Sequence, residues 1–506
     1  MAEREQWGSK IGFILAAVGS AIGLGNIWRF SYLAYSNGGG AFLIPYFVAL
    51  LFVGVAVLLL ELALGHSTKG SAPLAFKRLH EKSEWIGWLG VTSGFIITTY
   101  YMAIISWGAY YLYKLLLNGF PTTNFSDFFF GSVLQLSSGP GDIGGFANGI
   151  LISVLFIWLI NYVIVNSGVK KGLEKANQIF MPLLFILTII LVIRGITLPG
   201  GLEGINWYLT PDFSALTNPR IWLDAFSQIF FTLSLGFGIM IAYSSYLPKK
   251  TDLTTSAFTI SLLNCGYSFL AGFAVFGTLG YMAYTSGLPF NEVVAQSIGL
   301  AFVTFPEALS LMPVGSLILG AIFFLSLVIV GLSSSVSLVE AITSAVMDKF
   351  EISRGKAVAS VTILGFLGSL LYTTKSGLYW LDIVDHFTAS YLLPIVGVFE
   401  AVVAIWIFKG EKLEAYLNKL SDIKIGNYWK FFAGILTPVV LLSVIGLDVV
   451  SMMSNPYGGY AWSYLGVGIG IAILGVIVSF ALSRIPWKKK VEPWDEFVKK
   501  QEDDAE

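Results

Sequence analysis

Gly19-Ser20-Ala21-Ile22-Gly23-Leu24-Gly25-Asn26-Ile27-Trp28-Arg29 lies inside an apolar run from Ile11 to about Tyr35, long enough to cross a bilayer as one helix. Its middle nevertheless carries three glycines, an amide and a full positive charge. Glycine weakens a helix interior, and a buried Asn or Arg in hydrocarbon is expensive unless it faces a partner or a wet cavity. Unwound backbone at membrane depth is tolerated only where protein buries it or it lines a cavity. The stretch therefore reads as a broken transmembrane helix whose freed carbonyls and helix ends bind something small and charged. Gly19 and Gly23 also have the spacing of a helix-packing notch, but a notch leaves Asn26 and Arg29 unexplained.

The rest of the chain supplies the membrane. Of its 506 residues 56% are hydrophobic and only 12% charged, against about 25% charged in ordinary soluble domains. The composition is that of an all-α polytopic membrane protein. A net charge of −1 gives no sign of a nucleic-acid partner, and the single Cys265 excludes an internal disulfide framework. The histidines His66, His80 and His386 have no metal-ligand spacing, and the lack of a phosphate-cradling Gly-x-x-x-x-Gly-Lys-Ser/Thr run argues against a nucleotide-driven pump. The first apolar run is too long for a cleavable signal and lacks a small-residue cleavage site.

Hydropathy predicts twelve transmembrane helices, near 11–36, 41–65, 86–118, 148–166, 173–194, 221–247, 254–284, 314–348, 355–372, 378–408, 429–451 and 460–484. Of the 30 Lys and Arg, 25 fall in the N-terminal segment, alternate loops and the C-terminal tail. By the positive-inside rule both termini face the cytoplasm, across a cell membrane crossed many times. The loops 119–147 and 195–220 are Gly/Pro/Ser-rich and lie outside. Residues 288–312, with Pro289, Pro306 and Pro313, read as a re-entrant or lid-like hairpin on the outer face. The charged tail, 485–506, reads as solvated.

A second interruption, Phe231-Thr232-Leu233-Ser234-Leu235-Gly236-Phe237-Gly238, falls in the sixth span. Broken spans one and six, five apart, point to a five-plus-five inverted repeat with its site at the midplane, by a rule itself drawn partly from transporters of this architecture. The organisation is then an N-terminal segment 1–10, a first repeat 11–194, a second repeat 221–408, two added helices in 429–484 and the tail 485–506. Exposed carbonyls and hydroxyl or amide oxygens suit a hard cation. Span eight contributes Gly331-Leu332-Ser333-Ser334-Ser335 and span seven Asn264, although serine in a membrane helix commonly bonds its own backbone.

These residues together resemble the neurotransmitter:sodium symporter family, in particular its prokaryotic amino-acid transporters such as the bacterial leucine transporter. The match covers nearly all twelve spans and includes Gly19 to Phe30, Asn37 to Tyr46, Gln228 to Gly238, Gly331 to Ser335 and Leu381 to Asp385. The resemblance implies sodium-coupled symport by alternating access, with two sodium sites. The first falls on the Ala21 carbonyl, Asn26, Thr232 and Asn264, with the substrate carboxylate completing it. The second falls on the carbonyls of Gly19, Ile22 and Val330 and the hydroxyls of Ser333 and Ser334, Ser333 standing where the leucine transporter has threonine.

The substrate pocket implied by the resemblance draws Ser20, Ala21, Gly23 and Gly25 from span one and Ile97 and Tyr101 from span three. Phe231, Thr232, Ser234 and Phe237 come from span six, and Ser334 and Leu338 from span eight. Gly23, where monoamine carriers place an aspartate, leaves room for a substrate that brings its own carboxylate. Ile97, Phe237 and Leu338 make the far end apolar, so a zwitterionic aliphatic amino acid is expected, with Tyr101 on its carboxylate. Arg29 and Asp385 would form the outer gate pair. Arg4 and Asp348 would form the inner one, supported by Trp7 and Tyr246.

One departure concerns charge. Ser268 replaces a glutamate of the leucine transporter, and in the family that serine accompanies a chloride site, here Tyr46, Gln228, Thr232, Asn264 and Ser268. Asp224, one turn before Gln228, is the competing source of negative charge. The buried acids Glu61, Glu340 and Glu400 are expected to have structural partners: backbone amides of a broken helix for Glu61, water or hydroxyls for the others. A proton-coupled or exchange carrier of the same architecture, a channel, and an amino-acid sensor that binds without translocating stay open as rival readings.

Overall fold

The computed structural model describes residues 5–122, 124–293 and 297–503, and these are helical almost throughout. Among the described residues ten helices are long and apolar enough to cross a membrane: Gly40–Thr68, Glu84–Asn118, Asn148–Asn166, Val169–Thr197, Leu253–Ser286, Ser316–Phe350, Arg354–Thr373, Gly377–Ile407, Asn427–Gly459 and Trp462–Arg484. They coincide with ten of the expected spans, most to within a few residues at each end. The largest shifts are at 169, where the turn Val169–Glu174 precedes the apolar run, and at 459, where a short turn Tyr457–Gly459 follows a helix that itself ends at Ser454.

The first expected span is two helices, Lys10–Ala21 and Leu24–Ser36, meeting at 71°. Ser9 fixes its start, accepting from Gly12 N–H at 2.9 Å, and Glu174 clamps the same turn through Gly8 N–H at 2.6 Å. The sixth is likewise split, into Pro219–Thr232 and Ile239–Ser245. Between them Ser234, Gly236 and Gly238 take φ of +55°, +80° and +72°. Glycine adopts that region freely, whereas Ser234 does so against steric cost.

Burial sorts the helices into an inner set and an outer belt. The apolar windows of Gly40–Thr68 and Glu84–Asn118 are 78% buried, against 28% and 22% for those of Asn427–Gly459 and Trp462–Arg484. Lipid is as apolar as leucine, so exposed Ile473, Leu474 and Ile477 on the last helix are at home there.

Several connecting segments carry more structure than their composition foretold. Within 195–220, Gly201–Leu209 is a helix lying on Leu253–Ser286. The approach is so close that a Cβ on Gly204 would sit 2.1 Å from the Phe276 carbonyl oxygen. Within 288–312, residues 297–310 form helical turns whose Phe302 packs on Trp28 and Phe129; 294–296 lie outside the described residues.

The tail corrects an expectation. Its charged side chains Asp495, Glu496, Lys499 and Lys500 are exposed as expected, but Trp494–Asp503 forms a helix docked on the bundle. Trp494 is buried against Phe408 and donates to Ser67 Oγ at 2.8 Å, while Arg78 lies 3.3 Å above the Phe497 ring. A tail rich in charge was read as wet, yet two aromatics spaced three apart put an apolar stripe on one side of a short helix.

Candidate functional site

The first break begins with a competition for one N–H. In a continuous helix Gly23 N–H would donate to the Gly19 carbonyl, but it donates instead to Asn26 Oδ1 at 2.7 Å. Leu24 N–H turns to the Tyr101 hydroxyl at 3.4 Å. The carbonyls of this turn are thereby released from the helical ladder and meet side chains from other helices.

Ser333 Oγ lies 2.8 Å from the Gly19 oxygen and 2.9 Å from the Val330 oxygen. Ser334 Oγ lies 3.1 Å from the Ile22 oxygen and 3.3 Å from those of Ser20 and Val330. Each hydroxyl has one hydrogen to donate. With the Ser234 hydroxyl that reaches Ser20 from the second break, three hydroxyl hydrogens are shared among the carbonyls of Gly19, Ser20, Ile22 and Val330, which leaves a buried knot of neutral oxygens with unmet lone pairs. Such a knot favours a cation with a preference for oxygen.

The second break closes over the same region. Ser234 Oγ donates to the Ser20 carbonyl at 3.0 Å, joining the two interrupted spans. Its twisted backbone is held from a third helix: Glu61, fully buried, accepts from Gly236 N–H at 2.7 Å. That is the kind of partner expected for Glu61.

Between the breaks is a cavity of about 60 Å³, several times what one water requires. Every residue that the resemblance assigns to the substrate lines it, from Ser20 to Leu338, and Leu24, Asn26 and Ile239 line it as well. A Cβ on Gly23 would meet Ser334 Oγ and Tyr101 Oη at 3.5 Å, so a methyl fits there and a longer side chain fills the cavity.

Beside the cavity, a second polar cluster gathers Asn26, Thr232, Asn264, Ser268 and Tyr46. Asn26 Nδ2 donates to Asn264 Oδ1 at 2.9 Å and to Ser268 Oγ at 2.8 Å. Tyr46 donates to Ser268 at 3.2 Å, and Asn264 Nδ2 donates to Thr232 Oγ1 at 3.3 Å. Gln228 reaches the Gly25 carbonyl at 3.5 Å, with its Oε1 buried and unpartnered among the described residues. Asp224 is engaged elsewhere, accepting from Asn37 Nδ2 at 3.2 Å.

The residues assigned to the gates are placed unequally. Trp7 is buried against Tyr243 and Tyr246, donates its indole N–H to the Tyr243 carbonyl at 2.8 Å and its backbone N–H to that of Tyr246 at 3.2 Å. Asp348 accepts from Ser71 N–H at 2.8 Å; Arg4 lies outside the described residues. At the opposite end no ion pair joins Arg29 to Asp385 among the described residues. Arg29 lies over the Phe231 ring, 5.1 Å from its centre, and Asp385 accepts from the Tyr100 hydroxyl at 2.5 Å.

Sequence reasoning missed the group behind Trp7. Tyr246 Oη donates to Glu340 Oε1 at 2.7 Å, and Arg354 pairs with both oxygens of the same buried carboxylate. Glu340 thus has the expected hydroxyl and, in addition, a guanidinium. Fourteen residues and a helix-to-helix turn separate the two charges, so no local spacing announces them. Glu400 is also buried, with one carboxyl oxygen unpartnered among the described residues.

Comparison with known proteins bears on this arrangement as a whole. The family model described as sodium:neurotransmitter symporter family matches residues 4–124 and 119–490. An uncharacterized sodium-dependent transporter of Methanocaldococcus jannaschii is 57% identical, over 97% of this chain and 99% of its own. The sodium- and chloride-dependent taurine transporter of Homo sapiens is 30% identical over 92% of this chain and 82% of its own. The sodium- and chloride-dependent GABA transporter 2 of Mus musculus is 30% identical over 92% and 84%.

Proposed function

Because the chain belongs to the sodium:neurotransmitter symporter family, we propose that this sodium-dependent transporter is a symporter importing a zwitterionic, aliphatic amino acid by alternating access. In this reading the ten unbroken helices and the two broken spans make twelve crossings. Residues 11–194 and 221–408 are five-helix repeats related by inversion, 429–484 supplies two further helices, and residues 1–10 and 485–506 face the cytoplasm of the cell.

The observation that carries the reading is the oxygen knot where the first break meets Ser333 and Ser334, four buried carbonyls with the hydroxyls of Ser333, Ser334 and Ser234 as their side-chain donors. One sodium is assigned there, to the carbonyls of Gly19, Ile22 and Val330 and both hydroxyls. The other is assigned to the Ala21 carbonyl, Asn26, Thr232, Asn264 and the carboxylate of the substrate. A shared carboxylate couples the two cargoes: without the amino acid that ion lacks an anionic ligand, and without the ion the carboxylate sits in a low dielectric with no counter-charge.

Gly23 is assigned the space for that carboxylate, which Tyr101 orients by a hydrogen bond. Ile97, Phe237, Ile239 and Leu338 supply an apolar surround for the side chain. The remaining positive charge is assigned to a chloride held by Tyr46, Gln228, Thr232, Asn264 and Ser268. Engagement of Asp224 with Asn37 favours that anion over an internal carboxylate. Arg29 and Asp385 then close the outer side, and Trp7 with Tyr246, Arg4 and Asp348 the inner.

Proteoliposome uptake of the twenty amino acids, taurine and GABA tests the proposal, with sodium replaced by potassium and chloride by gluconate. Sodium-dependent accumulation of alanine, valine, leucine or isoleucine, reduced in gluconate, is expected. Accumulation of taurine or GABA with no aliphatic amino acid overturns the substrate. Binding without accumulation or counterflow overturns symport in favour of a sensor, and uptake indifferent to gluconate overturns the chloride.

A further inference from the structure

Asp385 is held where it does not reach Arg29. Its Oδ1 accepts from the Tyr100 hydroxyl at 2.5 Å, a length typical of a hydroxyl bonded to a carboxylate. Among the described residues Arg29 meanwhile reaches Ser227 Oγ at 3.4 Å and lies against the face of Phe231. The two charges are near enough for each to feel the other, yet no ion pair joins them. Tyr100 is itself fixed: it is buried, and its ring stands edge-on to Tyr372 at 5.9 Å. Its neighbour Tyr101 faces the cavity and takes the Leu24 N–H of the first break. One turn of the Glu84–Asn118 helix thus touches the cavity with one tyrosine and the gate carboxylate with the next.

We propose that Tyr100 is a positioning residue that parks Asp385 in the open arrangement of the outer gate, and that closing the gate is a hand-over of this carboxylate from the Tyr100 hydroxyl to Arg29. The proposal rests on the symporter reading only in calling the pair a gate. A hydroxyl holds the carboxylate without neutralising Arg29, so both charges are kept ready and the open state is held by a hydrogen bond alone. Exchanging that bond for an ion pair gives two discrete arrangements of one side chain, which is what a gate requires.

The test needs neither a known substrate nor transport. A cysteine at position 97 (Ile97→Cys), on the cavity wall, is labelled with a charged methanethiosulfonate reagent in nanodiscs containing sodium and no amino acid. The native Cys265 is buried, so the chain without the substitution serves as the blank. Tyr100→Phe keeps the ring against Tyr372 and deletes only the hydroxyl. It should release Asp385 to Arg29 and slow labelling roughly fivefold or more. With Asp385→Asn also present, Tyr100→Phe should leave the rate unchanged. Asp385→Glu, which lengthens the carboxylate towards Arg29 and leaves Tyr100 intact, should slow labelling in the same direction. It carries the test should Tyr100→Phe not fold. An unchanged or faster rate in Tyr100→Phe, or equal slowing with and without Asp385→Asn, overturns the hand-over. Because labelling is read without uptake, either result stands whatever the substrate screen returns.

Discussion

The two ends of the molecule are closed to different degrees. At the end carrying Trp7, an indole is buried, two carbonyls of the second broken span are bonded to it, and a buried carboxylate takes both a tyrosine and an arginine. At the end carrying Arg29, the two opposite charges stand without a direct bond, each resting on an aromatic residue. A carrier needs both ends to open in turn. The contrast teaches that in this state one end is held by a packed, charge-compensated plug and the other by two hydrogen bonds, Tyr100 to Asp385 and Arg29 to Ser227, and a ring contact.

Removing one member of each charge set breaks or sharpens that contrast. Arg354→Met leaves Glu340 buried and uncompensated, and should cost about 3–5 kcal/mol. It should give the largest fall in thermal midpoint of the detergent-solubilised protein; a fall no greater than that of a surface mutant would show the plug to be dispensable. Trp494→Ala removes the aromatic that pins the tail helix at Ser67 and should cost about 2 kcal/mol, part of a full core truncation. Limited proteolysis between residues 485 and 503, slow in the parent protein and fast in the variant, checks it.

Arg29→Met, at the loosely held end, should cost less than about 1 kcal/mol because it gives up a cation–π contact and no ion pair. Its effect should appear in gate closure, read by labelling at position 97, and a fall in midpoint matching that of Arg354→Met would erase the distinction between the ends. Smallest of all is Glu5→Gln. Its 3.9 Å approach to Arg354 is half exposed, so the change should stay below about 0.5 kcal/mol.

How much of this was legible in the sequence follows from the range of the interactions. The first break is written locally: Gly23, Gly25 and the amide of Asn26 lie within four residues, and Asn26 itself takes the N–H that breaks the helix. The second break is written only in part. Glycines at 236 and 238 mark it and a broken-helix amide is expected for Glu61, but which amide Glu61 takes, Gly236 N–H, and the hydroxyl tie from Ser234 to Ser20 in a strained backbone depend on tertiary packing. Long apolar helices were readable because their length is set by the bilayer. The helix Gly201–Leu209 was not, since its stability comes from glycine-to-backbone contact with another helix. The links Glu340–Arg354 and Tyr100–Asp385 are pure tertiary contacts, and the docked tail hid two aromatics among charges.

The proposal that the oxygens of the first break bind sodium carries the rest, and melting without any amino acid tests it directly. A ligand that binds only the folded state raises the midpoint. The parent protein in sodium should melt several degrees above the same protein in potassium, and Ser333→Ala with Ser334→Ala should remove that difference; the potassium midpoint falls as well, because buried carbonyls lose their hydroxyl donors, so the sodium-minus-potassium difference is the readout. A double variant that keeps the full sodium shift would contradict the assignment.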